Sequence, residues 1–260
     1  MQLSIIIPIY NGEKYLEACL ENITNEIDSN VEVLLIDDGS NDKTYKICEK
    51  YKCENIRVFR NKNHGVSYSR NFGIKNANGN FLMFVDADDL LKKGWYSIVK
   101  KCIYDDVDIC YISSKINKEF TRKEVLENII GISNSSINFS SVWSKIFKRN
   151  FILDNNIMFS ENIINGEDLL FNLETFELAK TYKVYNTGFY RYRLNYNSAT
   201  HSFNDKIFIS NSLFLKKFND VIKKITWLEE IEKKRYYNFC LKNSLNIFLY
   251  RISLSKNIKK

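Results

Sequence analysis

The first 113 residues alternate short apolar runs with amphipathic stretches, and this rhythm restricts the fold more than any other feature of the 260-residue chain. The runs at 3–9 (LSIIIPI), 31–37 (VEVLLID), 56–60 (IRVFR), 80–86 (NFLMFVD) and 107–113 (VDICYIS) have the length and β-branched content of buried strands. Residues 12–27, 41–52, 66–77 and 94–103 between them carry apolar side chains at helical spacing. Strand, helix, strand, helix implies an α/β fold with a mostly parallel central sheet covered by helices on both faces. Ligands of such sheets gather beyond the carboxyl ends of the strands. The sequence places Asn11, Asp37, Asp38 and Asp86 at those ends.

After residue 114 the rhythm changes. TRKEVLENIIG reads as a helix with Thr121 as N-cap and Glu124 closing a capping box. VWSKIF, NGEDLLFNLETFELA and KVYNTGFYRYRL suggest strand, helix and strand, and from 205 onward the pattern is helical. The expected division is 1–113 as one half of a domain, 114–204 as a second half of the same domain, and 205–260 as a basic amphipathic extension. No stretch has the length of a membrane span, and the N-terminus lacks the pattern of a secretory signal, so a cytoplasmic protein is expected. Six cysteines without a CxxC pair, most inside apolar-periodic segments, read as buried free thiols. The net charge of +7 is uneven: residues 205–260 hold 13 Lys plus Arg against five Asp plus Glu.

Four segments carry candidate chemistry, each with a plainer alternative. In LMFVDADDLL (82–91) three carboxylates crowd the end of an apolar strand. An Asp-x-Asp pair suits Mg²⁺ or Mn²⁺, which would offset their mutual repulsion; a solvated acidic turn is the alternative. LLIDDGSNDKT (34–44) offers Asp37 and Asp38 to a base or ribose, or only helix capping by Ser40, Asn41 or Asp42. NHGVSYSRNFG (63–73) sets Arg70 on a helix at the ligand edge, where its planar donor fork suits a diphosphate. INGEDLLFN (164–172) places Glu167 and Asp168 at a helix start, either as a general base or as complements to the helix dipole.

Taken in order, SIIIPIYNGEKYLEACLENI, LLIDDGSNDKT, NHGVSYSRNFGI, FLMFVDADDLL and NGEDLLF resemble a family-2 glycosyltransferase of the GT-A fold over residues 3 to about 200. The resemblance implies an inverting enzyme that moves a sugar from a nucleoside-diphosphate sugar, a UDP-sugar by family habit, to a saccharide or lipid-linked glycan. In the PIYN segment Tyr10, flanked by Pro8 and Asn11, would stack on the base. Asp38 would accept the base's imide N–H with Asp37 close by, and Arg70 would approach the diphosphate. Asp86 would hold ribose or a metal-bound water, with Ala87 beside it, and Asp88 would ligate the divalent metal. Asp168 would be the catalytic base, next to Glu167. VWSKIFKR (142–149) and YRYRLNYNSATHS (190–202) resemble acceptor-side segments. They make Lys145, Arg191 and Arg193 candidates for phosphate or acceptor contacts and His201 a candidate extra metal ligand. Ser69 departs from the family, which usually has Ala before this Arg.

Other classes fit less of the chain. The entry motif of haloacid-dehalogenase phosphatases also runs hhhDxDxxL, but near the N-terminus, and here a whole βαβα unit precedes it. A non-catalytic sugar-nucleotide-binding subunit would not need Asp88 and Asp168, and a nucleotidyltransferase would open with a Gly-rich basic loop. The lysines of residues 216–235, interleaved with Phe208, Phe214, Phe218 and Trp227, are either a solvated face or a surface for anionic membrane. Nucleic acid is not expected, since the charge is confined to the C-terminal segment and no recognition motif occurs.

Overall fold

The computed structural model describes residues 1–113, 119–133, 139–193 and 207–257, with side chains of the last helix described as far as 247. Seven strands form one sheet in the order β3-β2-β1-β4-β7-β6-β8. β1 (Leu3–Ile9), β2 (Val31–Asp37), β3 (Ile56–Arg60) and β4 (Phe81–Phe84) are parallel neighbours. β7 (Lys145–Lys148) enters antiparallel to both β4 and β6 (Ile109–Ile112), and β8 (Tyr182–Tyr185) pairs in parallel with β6. Register brings Ile9 opposite Asp37 and Asp37 opposite Arg60, so the first three strands end level.

The apolar runs are continuous because both sheet faces are covered. Ile5, Ile7, Val33, Leu35 and Met83 pack toward α1 (Leu16–Thr24), α2 (Thr44–Tyr51) and α4 (Trp95–Asp105). Ile6, Leu34, Ile36, Leu82 and Phe84 face α3 (Val66–Asn76), α5 (Arg122–Ile130), α6 (Arg149–Asp154) and α7 (Glu167–Leu178). Gly73 lets α3 lie close on the sheet, since a Cβ there would overlap Ile6. The capping box at Thr121 and Glu124 is formed, and α5 stops at Gly131 in the left-handed region. All six cysteines are free thiols; five are buried and Cys53 is exposed. Burial pushes the Cys19, Cys48 and Cys240 thiols up to about 12, leaving them unreactive at neutral pH.

Three expectations change in detail. The first helix begins at Leu16 rather than residue 12, because residues 10–15 form a turn with Asn11 at φ 50°. The expected strand across 183–194 splits at Asn186–Gly188: β8 joins the main sheet, and β9 (Tyr190–Arg191) pairs antiparallel with β5 (Leu90–Leu91). Buried Phe189 against Trp95 anchors the second piece. The C-terminal helices are not a mere appendage. α8 (Ile207–Lys224) buries Ile207, Phe214, Phe218, Val221 and Ile222 in the core that includes α7, and α9 (Glu230–Asn257) adds Tyr236 and Cys240.

Candidate active site

The loops after β1 and β2 are sewn together by side-chain bonds to backbone. Asn11 N–H donates to Ser40 Oγ at 2.8 Å, Gly12 N–H to Thr44 Oγ1 at 2.7 Å and Glu13 N–H to Asp42 Oδ2 at 3.1 Å. In return Asn11 Oδ1 accepts Asn41 N–H at 2.9 Å and Glu13 Oε2 accepts Lys43 N–H at 2.9 Å. Polar residues that the sequence offered as helix caps thus fasten one ligand-edge loop to the other; the N-cap of α2 is Lys43 without a side-chain cap, and Asp42 ahead of it accepts Thr44 N–H.

Asp37 is wholly buried, accepts Ser40 N–H at 3.1 Å and lies 3.2 Å from Arg60 Nε, so it braces the turn. Asp38 accepts His64 N–H at 2.9 Å and Gly65 N–H at 2.6 Å, pinning the start of α3. Beside it opens a cleft of about 450 Å³, lined among others by Pro8, half-exposed Tyr10, Asp38, His64, Ser69 and Glu161. Its far wall, residues 159–164, is tied to α3 through Asn71, whose amide bonds Phe159 N–H, Phe159 O and Glu161 Oε1. From the other side α8 holds the same wall: Ser210 Oγ accepts Ile164 N–H and Lys217 Nζ donates to Ser160 Oγ, each at 2.8 Å.

Arg70 is the hub. Its side chain is 5% exposed and its guanidinium stands over the Phe159 ring. Nη1 donates to Asp168 Oδ1 at 2.6 Å and lies 3.6 Å from Glu167 Oε1, while Nη2 donates to Asp86 Oδ1 at 3.2 Å. One cation therefore gathers acids from the end of β4 and from the first turn of α7, 98 residues from Arg70 at its farther reach. Burial opposes the guanidinium's charge, but Asp168, Asp86 and Glu167 outweigh it and raise its proton affinity. For the acids burial dominates: it raises Asp86, and with the neighbouring Asp168 carboxylate it pushes Glu167 up to about 8.

Asp168 is fixed twice, because its second oxygen accepts Val142 N–H at 3.2 Å. Asn172, one turn on in α7, donates to Asp168 O and to Ser140 O, fastening the segment that supplies Val142. Ahead of the pair, Gly166 sits at φ 86° with Phe214 of α8 packed against it. Lys145 is 1% exposed and donates to Ser141 O between the Tyr111 and Phe139 rings, so its ammonium is buried and bonded to backbone. Burial lowers its ammonium to about 7.

The DADD loop is clamped from outside. Arg193 donates from its backbone to Asp89 Oδ1 at 2.8 Å, from Nε to Asp88 O and from Nη2 to Tyr15 O at 3.2 Å. These bonds commit Arg193 to shaping the loop. Arg191 is exposed on β9, and His201 lies outside the described residues. Tyr190, which the sequence did not single out, accepts Asp86 N–H at its hydroxyl and stacks on Trp143 at 4.6 Å. The aromatic run YRYR was its only signal.

Comparisons with known proteins give this fold a family. The family model described as "Glycosyl transferase family 2" matches residues 4–163. The chain belongs to glycosyl transferase family 2. Among its relatives, the uncharacterized glycosyltransferase EpsJ of Bacillus subtilis is 31% identical over 76% of this chain and 62% of its own length. The poly(ribitol-phosphate) beta-N-acetylglucosaminyltransferase TarS of Staphylococcus aureus is 29% identical over 74% of this chain but only 35% of its own length. The chain thus spans less than two thirds of either relative. The crystal structure of S. aureus TarS 1-349 in complex with UDP-GlcNAc superposes with a TM-score of 0.72 at 26% identity, covering 93% of this chain and 72% of that one. A Pyrobaculum calidifontis mannosyltransferase, in complex with GDP-Man and Mn²⁺, shares the fold at 13% identity and a TM-score of 0.61. Family-2 membership sets aside the phosphatase reading of Asp86 to Leu90.

Proposed function

We propose that this chain is an inverting glycosyltransferase that passes a sugar from a UDP-sugar to a hydroxyl of a saccharide or lipid-linked glycan acceptor in bacterial surface polysaccharide assembly. The observation that carries the reading is the convergence of Asp86 and Asp168 on one buried guanidinium beside a cleft that holds Tyr10 and Asp38. The base would lie along Tyr10, with its imide N–H on Asp38. Asp168, held by Arg70 and Val142 N–H, would accept the acceptor hydroxyl's proton as that oxygen attacks the anomeric carbon. Both fixed bonds keep its carboxylate aimed before the acceptor arrives, which lowers the reorganisation the reaction requires.

The loop from Asp86 to Asp89 fits a hard divalent cation. Its acids raise one another's proton affinity, with Asp88 adding to the upward shift of Asp86, so extra positive charge there is favourable. Among the described residues no three acidic, His or Cys side chains converge to hold a metal by themselves. Asp88, with Asp86 alongside, would hold Mn²⁺ or Mg²⁺ together with phosphate oxygens and water. Such a cation, when bound, neutralises charge on the departing diphosphate. No helix among the described residues is long and apolar enough to cross a membrane. The outward line of α9 (Ile231, Lys234, Arg235, Lys242 and Leu245) suits an anionic lipid surface that carries the acceptor.

Calorimetric titration of UDP and a panel of UDP-sugars tests the reading, with Mn²⁺ and with chelator, on the wild type and Asp88→Ala. Metal-dependent binding that disappears in the variant is expected. Absence of any nucleotide binding by the wild type under both conditions would overturn it.

A further inference from the structure

The last sheet bond of β4 runs from Val85 N–H to Ile6 O at 3.1 Å, so the amide of Asp86 is the first to leave the ladder and needs an acceptor of its own. The Oδ1 and carbonyl oxygen of Asp86 are served from the first half of the chain. Arg70 Nη2 donates to Oδ1, and the carbonyl accepts Asp89 N–H at 3.0 Å and the Cys19 thiol at 3.8 Å. The amide is the exception: it donates across 104 residues to the Tyr190 hydroxyl at 3.1 Å.

Tyr190 is held for that bond. β9 sets it opposite Leu91 of β5, and Lys92 N–H ties the strand down by donating to Phe189 O at 2.6 Å. The Tyr190 ring lies on that of Trp143, with centroids 4.6 Å and planes 12° apart. Both side chains are half-buried. Trp143 owes its place to the backbone around it. Ser144, one residue on, has φ 58°, a left-handed conformation that a residue with a Cβ enters only where its surroundings impose it, and Ile112 N–H holds its carbonyl at 3.0 Å. One residue back, Val142 N–H donates to Asp168 Oδ2.

Two lines of contact therefore join the acidic loop to Asp168. One is ionic and runs through Arg70. The other is uncharged: Asp86 N–H, the Tyr190 hydroxyl and ring, the Trp143 ring, and Val142 N–H on Asp168. A cation at the loop competes with Arg70 for the Asp86 carboxylate, whereas an amide–hydroxyl bond and a ring stack do not compete with it. Resting on the glycosyltransferase reading above, we propose that Tyr190 and Trp143 are positioning residues: through the Asp86 amide they hold the acidic loop in the shape that takes the divalent cation, in register with Asp168.

The experiment is calorimetric titration of UDP, with Mn²⁺ and with chelator, into the wild type, Tyr190→Phe, Trp143→Ala and Trp143→Phe, alongside thermal melts. Tyr190→Phe keeps the ring and loses the acceptor; Trp143→Ala loses the stack and Trp143→Phe keeps one. With Mn²⁺, Tyr190→Phe and Trp143→Ala should bind UDP about three- to tenfold more weakly, the worth of about one neutral hydrogen bond. Affinity with chelator should not change, and Trp143→Phe should recover most of the loss. Wild-type affinity with Mn²⁺ in Tyr190→Phe or in a folded Trp143→Ala would overturn the proposal while leaving the transferase reading intact. Tyr190→Phe alone decides if Trp143→Ala melts below the titration temperature. A loss of the same size with chelator would assign the pair to the fold as a whole, and Trp143→Phe as weak as Trp143→Ala would rule out the stack; each overturns the proposal as well. A wild type that binds UDP equally with Mn²⁺ and with chelator would remove the cation site and this proposal together, and one that binds no nucleotide would remove the transferase reading too.

Discussion

Replacing Glu167 with Gln isolates the electrostatic cost of the acid cluster. The Glu167 side chain is 14% exposed and 3.6 Å from Arg70, which also serves Asp168 and Asp86 at shorter range. Burial and the Asp168 charge push its proton affinity up to about 8, against roughly 4.3 for a free glutamate. Between those two pH values the folded state holds a proton that the unfolded chain has released. Stability contributed by this group therefore falls as pH rises through that window. Each tenfold in proton affinity is worth about 1.4 kcal/mol, so the full loss has an upper bound on the order of 5 kcal/mol. Relaxation of the cluster and water penetration bring the expected value to about 1–3 kcal/mol. Gln keeps the shape and does not titrate. Its melting temperature should lie near the wild type's at pH 5 and exceed it by several degrees at pH 8.5, at roughly 2–4 °C per kcal/mol for a chain of this size. Thermal melts followed by circular dichroism between pH 5 and 9 read this directly. A difference that stays flat, or that favours the wild type more as pH rises, would refute the electrostatic account of the cluster.

Asp168→Asn should lower turnover by about 10² to 10⁴, the usual worth of a general base. It should also lower the melting temperature, because an amide has one oxygen for two donors, Arg70 Nη1 and Val142 N–H; turnover assays and melts check the two effects separately. Gly166→Ala meets a φ of 86° and Phe214 Cε2 2.6 Å from the new methyl, so a loss of about 1–3 kcal/mol is expected in denaturant titration, with turnover falling as the acids shift. Lys145→Met has the opposite pH signature to Glu167→Gln. The lysine's affinity is depressed to about 7 in the fold, so the wild type gains stability as pH climbs from 7 toward 10.5. The variant's relative advantage should be largest below pH 7 and shrink above it in the same melts.

The sheet was legible because a strand buried on both faces must be apolar throughout, and LSIIIPI, VEVLLID and FLMFVD are. Its extension was less so: β7 and β8 are four residues each, and β9 is two, too short for periodicity to separate them from loop. The acids at the strand ends were visible as charge where burial was expected. Their partners were not. Val142 acts through its backbone, and Tyr190 was read only within a segment resembling the acceptor side; the antiparallel pairing of β9 with β5 that brings Tyr190 to the site is encoded by no local pattern. Lys145 shows the converse difficulty. The resemblance of VWSKIFKR offered it to a phosphate or the acceptor, while its stem packs among Tyr111 and Phe139 and its ammonium turns to Ser141 O.

Three acids at the end of a buried strand look costly until their partners are counted. Asp89 turns inward to Arg193 N–H, Asp86 takes a donor from Arg70, and Asp88 carries the backbone oxygen that Arg193 Nε holds. Two arginines thus organise the loop, but the acids of the site outnumber them: Asp86, Asp88, Asp89, Glu167 and Asp168 against Arg70 and Arg193. Burial first, and the neighbouring acids after it, raise Asp86, Glu167 and Asp89, the last to about 7. A site built only for stability would place a third base there, or an amide. The imbalance suits the divalent cation proposed for the loop, and the arginine that the sequence marked as a diphosphate contact also holds the carboxylate of the proposed base. A lysine could not replace it, because the acids are reached from two separate nitrogens of one planar group.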